Sequence, residues 1–166
     1  YGLKVGMSLS QVKSLCPSIV LLPADFPKYS SVTRRFINLC SKYTDIMEVF
    51  SLDEVFLDVT ATSHLFGSSL LLSYDIQQRL KAEIGDWIGC SIGIAKNKLL
   101  AKIASGMAPK RSVFVVTKDN QTNLLATAPF DEVCGIGFRL TKRLKKLGIT
   151  SLPQILSISN LTLQAE

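Results

Sequence analysis

Apolar residues recur along the chain at two different spacings, which predict alternating helices and strands. A repeat of about 3.6 residues predicts a short helix from a Ser8 capping box to Pro17, and longer helices near residues 30–43, 68–84 and 97–107. Compact apolar runs predict strands near residues 46–50, 55–59, 88–95 and 113–116. Two adjacent strands followed by helix and strand in alternation predict an α+β fold, with helices packed on a mostly antiparallel sheet.

The pattern changes after Val116. Residues 118–122 are polar and predict a boundary. Beyond them Leu140, Leu144 and Leu147 form one apolar stripe at helical spacing. We therefore expect a small all-helical module to follow the α+β part.

Composition narrows the class of protein. With 47% hydrophobic and 19% charged residues, the chain is globular rather than disordered. A net charge of +6 and a pI of about 9.2 suit a polyanionic partner such as nucleic acid, with an indifferent basic surface as the alternative. Four scattered cysteines without a CxxC pair favour a reducing compartment, and no apolar run is long enough to span a membrane. Because the chain starts at Tyr1 rather than Met, we expect it to be an internal part of a longer protein.

An acidic pair, Asp53 and Glu54, lies between the two adjacent strands. If residues 51–53 form a hairpin turn, strict alternation is broken and both carboxylates can project to the same side. Two carboxylates at a sheet edge suit Mg²⁺, and a two-metal phosphoryl-transfer site needs such ligands. Solvated turn residues are the alternative, and for nearby Asp58 we expect a structural role.

Two further segments carry basic residues. A strand leads into a helix bearing Lys98 and Lys102, which can face either phosphate or solvent, and the spacing of a P-loop is absent. Near the end, Gly135 and Gly137 precede a strongly cationic helix. Glycines let backbone N–H groups approach a phosphate closely, so this segment predicts a helix-hairpin-helix that binds the nucleic-acid backbone. A glycine-containing turn between two helices with an ordinary basic surface is the alternative.

Three blocks together resemble the Y-family (UmuC/DinB-type) translesion DNA polymerases. They are SLDEVFLDV, SIGIAKNKLLAKIAS and VCGIG with its basic helix, in the order and spacing of that family. The resemblance implies a right-hand architecture. Residues 1–25 correspond to the end of the fingers, 26–117 to the palm without its first strand, and 118–166 to the start of the thumb with its helix-hairpin-helix.

The resemblance also implies roles for individual residues. In the family's S-x-D-E motif, Asp53 and Glu54 are the catalytic metal ligands for two Mg²⁺ ions, a further ligand lying outside this chain. Tyr29 and Lys110 correspond to nucleotide-binding positions. The DNA-binding positions in the thumb are Gly135, Gly137, Lys142, Arg143 and Lys146. The partners implied are primer–template DNA and a dNTP, with a sliding clamp as a further candidate and no membrane. The expected location is the bacterial cytoplasm at the nucleoid, or the nucleus of a eukaryote.

One departure from the family leaves a second function open. Where the family reads Asp, two residues and Lys-Pro, this chain reads Gly106 to Lys110 with Pro109 and Lys110 exchanged. A non-catalytic, polymerase-like DNA-binding scaffold is therefore the alternative to a polymerase. A palm-type nucleotide cyclase is disfavoured, because a cyclase does not bind DNA and would not need the glycine hairpin and the cationic helix that follows it. We expect the 166-residue chain by itself to be inactive, since one carboxylate ligand is missing from it.

Overall fold

The structure is a computed structural model that describes residues 1–155. Its helices and strands follow the predicted order of helix, helix, strand, strand, helix, strand, helix and strand, and then become all-helical. In chain order they are α1 Leu9–Leu15, α2 Phe26–Cys40, β1 Met47–Val49, β2 Val55–Leu57, α3 Ser69–Glu83, β3 Ile92–Ile94, α4 Lys98–Met107, β4 Val113–Val115, α5 Lys118–Thr127, α6 Phe138–Lys146 and α7 Leu152–Ile155. Short 3₁₀ turns occupy Ser63–Phe66 and Phe130–Glu132. The predicted α+β class is confirmed.

Helix starts are set by capping side chains. The predicted capping box at Ser8 is present, and the Asn97 side chain accepts a hydrogen bond from the Leu100 N–H at 2.9 Å, which opens α4. Helix α2 begins at Phe26 rather than near residue 30, because the Asp25 carboxylate caps it by accepting from the Lys28 N–H at 3.0 Å. The helix that carries Tyr29 is therefore longer at its N-terminus than predicted.

The expected mostly antiparallel sheet is wrong for the described residues. They form two separate two-stranded sheets. Strands β1 and β2 pair antiparallel across their short connection, whereas β3 and β4 pair parallel. The reason is α4, which joins β3 to β4 and carries the chain back to the start of the sheet, so that the second strand runs in the same direction as the first.

Strand β3 is shorter than the predicted run and lies very close to α4. A Cβ added to Gly93 would lie 2.0 Å from the Ala101 carbonyl oxygen, so only glycine permits this approach. The residues before β3 form a loop rather than strand. There the Arg111 guanidinium donates to the Trp87 carbonyl oxygen at 2.9 Å, and its side chain fills the space beside Gly89.

Three groups of buried side chains hold the elements together. The first packs α2 against α3 with the fully buried Leu39, Tyr43 and Leu80. The second joins α4 to α5 through Ile103, Ala104, Leu124 and Ala128. The third surrounds α6 through Phe130, Leu144 and Ile149. Residues 118–122, predicted as a polar boundary, form the first half of α5, whose buried side lies against α4.

Within residues 1–155, no helix has both the length and the apolar character needed to cross a membrane. The predicted thumb region extends to residue 166, and its last part, residues 156–166, lies outside the described residues.

Candidate active site and nucleic-acid interface

The predicted hairpin turn is present and holds Asp53 at its exposed tip. The N–H groups of Phe50 and Ser51 donate to the Glu54 carbonyl oxygen at 2.9 and 3.2 Å, closing the turn. Ser51 Oγ donates to Asp53 Oδ1 at 2.7 Å. The S-x-D part of the motif is therefore a local hydrogen-bonded unit, in which the serine fixes an otherwise solvated carboxylate.

Glu54 belongs to a different environment, the face of the hairpin covered by α4. Its carboxylate forms an ion pair with Lys102 of α4. One helical turn earlier, Lys98 forms an ion pair with Glu48 of β1. Two aromatic side chains on this face, Phe50 and Phe56, pack edge to face with ring centroids 5.6 Å apart. The lysine-bearing helix thus faces the hairpin through two parallel ion pairs, which sequence spacing did not reveal.

These ion pairs also define the direction of α4. Lys98 pairs with a strand residue, whereas Lys102, further along α4, pairs with Glu54 beside the turn. The C-terminal end of α4 is therefore at the same end of the hairpin as Asp53. Lys110 is exposed in the turn that follows this end of the helix, and no described contact joins it to Asp53 or Glu54.

Helix α2 reaches the same turn from another side. Thr33 Oγ1 donates to the Leu52 carbonyl oxygen at 2.7 Å. Tyr29 lies one helical turn before Thr33 and therefore on the same side of α2. Its ring is about half exposed and packs edge to face on Phe26, with centroids 6.1 Å apart. The structure thus brings the helix of Tyr29 to the hairpin end, with the tyrosine ring open to a ligand.

The two carboxylates suit a hard divalent cation by their chemistry. Asp53 is exposed and Glu54 half-buried, and carboxylate oxygens are the donors that Mg²⁺ prefers. The Glu54 carboxylate pairs with the Lys102 ammonium group. Residues 1–155 hold no group of three or more His, Cys, Asp or Glu side chains placed to bind a metal. The donors present fit the ion, and within this chain Asp53 and Glu54 would be its ligands.

Asp58, at the far end of the hairpin from the turn, has the structural surroundings predicted for it. Its carboxylate accepts from the Thr60 N–H at 3.0 Å, and hydrogen bonds from Thr60 lower the pKa of this carboxyl. Its backbone carbonyl accepts from Thr44 Oγ1 at 2.7 Å. These contacts close the chain after β2 and involve neither Asp53 nor Glu54.

The predicted glycine turn precedes α6. Gly135 has a positive φ of 91°, a left-handed conformation that favours glycine, and Gly137 is the N-cap of α6. No side chain caps this helix, and at either glycine no atom beyond the glycine and its two chain neighbours lies within 4 Å of the position that a Cβ would take. The first N–H groups of α6 therefore have no side-chain acceptor at the N-cap, and the two glycines leave room beside the helix start for a ligand.

One face of α6 is cationic along its length. The predicted DNA-binding residues Lys142 and Lys146 lie on it, away from the buried Leu144, and Arg143 lies at its edge, where it also lines an apolar cavity with Leu144. Arg139 continues the same stripe at spacings of three, four and seven residues. Sequence reasoning left Arg139 out, although this spacing already placed it with the others. We call Arg139, Lys142, Arg143 and Lys146 the α6 stripe.

Comparisons with known proteins agree with this architecture. The profile of the impB/mucB/samB family matches residues 1–106. DNA polymerase IV of Pseudomonas syringae pv. tomato is 34% identical over all 166 residues, which cover 46% of that protein. DNA polymerase IV of Enterobacter sp. is 34% identical over 93% of this chain and 44% of its own length. The chain thus spans less than half the length of these curated relatives.

Solved structures show the same relationship. DinB from Sulfolobus solfataricus superposes with a TM-score of 0.85 at 33% identity, covering 99% of this chain and 48% of that one. An insertion ternary complex of Dbh DNA polymerase gives a TM-score of 0.84 at 33% identity, over 99% of this chain and 47% of the other. At this level of identity the likeness extends beyond the shared fold.

Proposed function

Because the chain belongs to the impB/mucB/samB family of Y-family, DinB-type DNA polymerases, we propose that the intact protein is a template-directed DNA polymerase that copies damaged DNA. Its substrates are a primer–template and a dNTP. In this chain residues 1–25 are the end of the fingers, 26–117 most of a palm, and 118–166 the start of the thumb.

The observation that carries the proposal is the position of Asp53. The carboxylate stands at the exposed tip of the hairpin, tied by Ser51, at the end of the hairpin that both α2 and α4 approach. A purely structural acid in a turn needs no helix on either side. The residues on either side of Asp53 are each held by a different helix, Leu52 by Thr33 of α2 and Glu54 by Lys102 of α4, which is typical of a site built to hold a ligand.

The proposed reaction is nucleotidyl transfer. The primer 3′-hydroxyl oxygen attacks the α-phosphorus of the dNTP, a new P–O bond forms, and the bond to the β-phosphate breaks with release of pyrophosphate, while the hydroxyl proton passes to solvent. When bound, two Mg²⁺ ions supply charge neutralisation at the attacking and leaving oxygens. Asp53 and Glu54 would be the ligands that this chain contributes to those ions. Tyr29 and Lys110 contact the nucleotide, and catalysis consists mainly of alignment and charge neutralisation.

The thumb residues have a separate task, which is to hold the DNA. Gly135 and Gly137 admit a phosphate close to the backbone, and the α6 stripe supplies positive charge beside it. Such contacts fix the position of the duplex without reading its sequence. A polymerase needs this type of contact, since it must move along any template.

A non-catalytic DNA-binding scaffold is the second candidate. The observation in its favour is the Lys102 ammonium group, which already neutralises Glu54 within the chain. In a scaffold this ion pair would be permanent, and Asp53 would be dispensable. The α6 stripe would bind DNA equally well in both cases, so DNA binding alone does not distinguish them.

Primer extension by the intact protein separates the two, because a scaffold has none, whereas the proposed polymerase extends a primer and depends on Asp53 to do so. Asp53→Asn keeps the acceptor for Ser51 and removes the charge, and we expect primer extension to fall at least ~100-fold. Glu48→Gln is the matched control, because Glu48 is an exposed acid on the same hairpin whose partner is Lys98. This control should retain activity within about threefold. DNA affinity should be unchanged in both variants. Wild-type turnover by Asp53→Asn would remove Asp53 from the site.

A further inference from the structure

Two lysines of α4, Lys98 and Lys102, form ion pairs with the hairpin, so the role of one can be tested against the other. We propose that Lys102 is a positioning residue for Glu54: its ammonium group orients the carboxylate before any divalent cation binds, and then competes with that cation. The inference rests on the proposed function, since it assumes that Asp53 and Glu54 bind a divalent ion. It assigns to Lys102 a role in setting the metal affinity of the site.

The contacts of Lys102 differ from those of a solvated helix lysine. Its ammonium group is bonded to Glu54 Oε1 and also lies 5.9 Å from the centroid of the Phe50 ring. A cation over an aromatic face is attracted to it, so the ammonium group has a second favourable partner one strand away from Glu54. Lys102 can therefore leave the carboxylate without becoming fully unpartnered.

Lys98 provides the matched pair. It forms the same type of ion pair with Glu48 and lies 5.9 Å from the centroid of the Phe56 ring. The two pairs differ in shielding: the side chains of Lys102 and Glu54 are 24% and 38% exposed, against 62% and 51% for Lys98 and Glu48. Only the shielded pair is adjacent to Asp53, and charge interactions are stronger where water is excluded.

Two opposing effects decide the sign of the expected result. Removing the lysine charge takes away the orientation of one side chain, which lowers metal affinity. It also removes a positive charge at contact distance from a ligand of a divalent ion, which raises metal affinity. The repulsion involves a doubly charged ion and the orientation only one carboxylate, so we expect the charge effect to dominate.

The experiment measures Mn²⁺ binding to the intact protein, by electron paramagnetic resonance of the free ion. Lys102→Met keeps the length of the aliphatic stem and should bind Mn²⁺ about three- to tenfold more tightly than the wild type. Lys98→Met, the matched control, should stay within about twofold. Lys102→Arg restores the charge and should restore wild-type affinity, which a purely structural effect of the Met side chain would not predict.

Acid variants show whether the effect passes through Glu54. In a Glu54→Gln background, Lys102→Met should no longer change Mn²⁺ affinity, since the two residues act as a coupled pair. If Asp53→Asn weakens Mn²⁺ binding while Lys102→Met leaves it unchanged, Lys102 is not the competing cation, and the proposed metal site stands. If Mn²⁺ binding is insensitive to both Asp53→Asn and Glu54→Gln, the metal site of the proposed function is wrong, and this inference is wrong with it.

Discussion

The close approach of β3 to α4 at Gly93 offers the sharpest test of how the site is supported. In Gly93→Ala the new Cβ would lie 2.0 Å from the Ala101 carbonyl oxygen and 2.7 Å from the Ser105 nitrogen. Both atoms belong to the backbone of α4, so no rotamer change relieves the clash. The helix must instead move away from the strand, and Lys98 and Lys102 move with it.

The cost can be worked out from that displacement. Ordinary contact of a Cβ begins at 3.4 Å, so the strand and helix must separate by more than 1 Å at this point. Such a movement disturbs the packing of Ile103 and Ala104, which are completely buried. Overpacking of a tight core typically costs about 1–3 kcal/mol, and a backbone clash belongs at the upper end, so we expect a loss of about 3 kcal/mol in the free energy of unfolding.

A second glycine on α4 supplies the control. A Cβ at Gly106 would lie 1.7 Å from Glu132 Oε2, nominally a worse clash, but that oxygen is the end of a flexible side chain that can swing aside. Alanine also gains roughly 1 kcal/mol over glycine inside a helix. Gly106→Ala should therefore stay within about 1 kcal/mol of the wild type.

Urea denaturation of the 166-residue chain, followed by far-ultraviolet circular dichroism, measures both variants. The expected order of midpoints is Gly93→Ala well below Gly106→Ala, with the latter near the wild type. If Gly93→Ala unfolds at the wild-type urea concentration, the strand and helix are further apart than the structure places them. If both variants lose the same stability, the distinction between backbone and side-chain clashes is wrong here.

Two further predictions concern DNA binding and pH. Replacing Lys142 and Lys146 with alanine should weaken duplex binding and lower the slope of log affinity against log salt by about 2, while Lys118→Ala should change neither; a salt titration of fluorescence anisotropy checks this, and an unchanged slope would exclude phosphate contacts by the α6 stripe. Burial raises the pKa of the Cys40 thiol from 9.0 to about 12 and that of Cys90 from 9.0 to about 11. The folded state thus favours the neutral thiols, so this stabilisation is complete below pH 9 and is lost as the pH rises above it. Thermal melts should show a constant midpoint between pH 7 and 8 and a falling one above about pH 9, and a midpoint that rises above pH 9 would contradict this.

Local signals allowed much of the fold to be predicted. Ser8 and Asn97 each stand before an apolar helical repeat, and both proved to be N-caps because a cap depends only on residues within one turn. The hairpin turn at residues 51–53 followed from the short gap between two strand-like runs. The start of α2 was missed, although the signal was local: Asp25 followed by Pro27 marks a capped helix start.

Long-range pairings could not be predicted in the same way. The residues of the Lys98–Glu48 and Lys102–Glu54 pairs are 50 and 48 positions apart, and no periodicity connects them. The predicted direction of β4 relative to β3 was wrong for a different reason. A helix between two strands of one sheet is typical of a parallel pair, and the prediction of a mostly antiparallel sheet gave this too little weight.

The adjacency of Asp53 and Glu54 has a consequence for how the site can fail. Neighbouring residues would point to opposite faces of a regular strand, but here the two carboxylates are fixed by unrelated contacts. Asp53 is held within the turn by Ser51, whereas Glu54 is held from outside by Lys102. A shift of α4 therefore moves the partner of Glu54 and leaves that of Asp53 in place. The position of Glu54 relative to Asp53 thus depends on how closely α4 packs on β3. That packing requires Gly93, so a glycine that binds no ligand itself helps to determine whether the two carboxylates can bind the same ion.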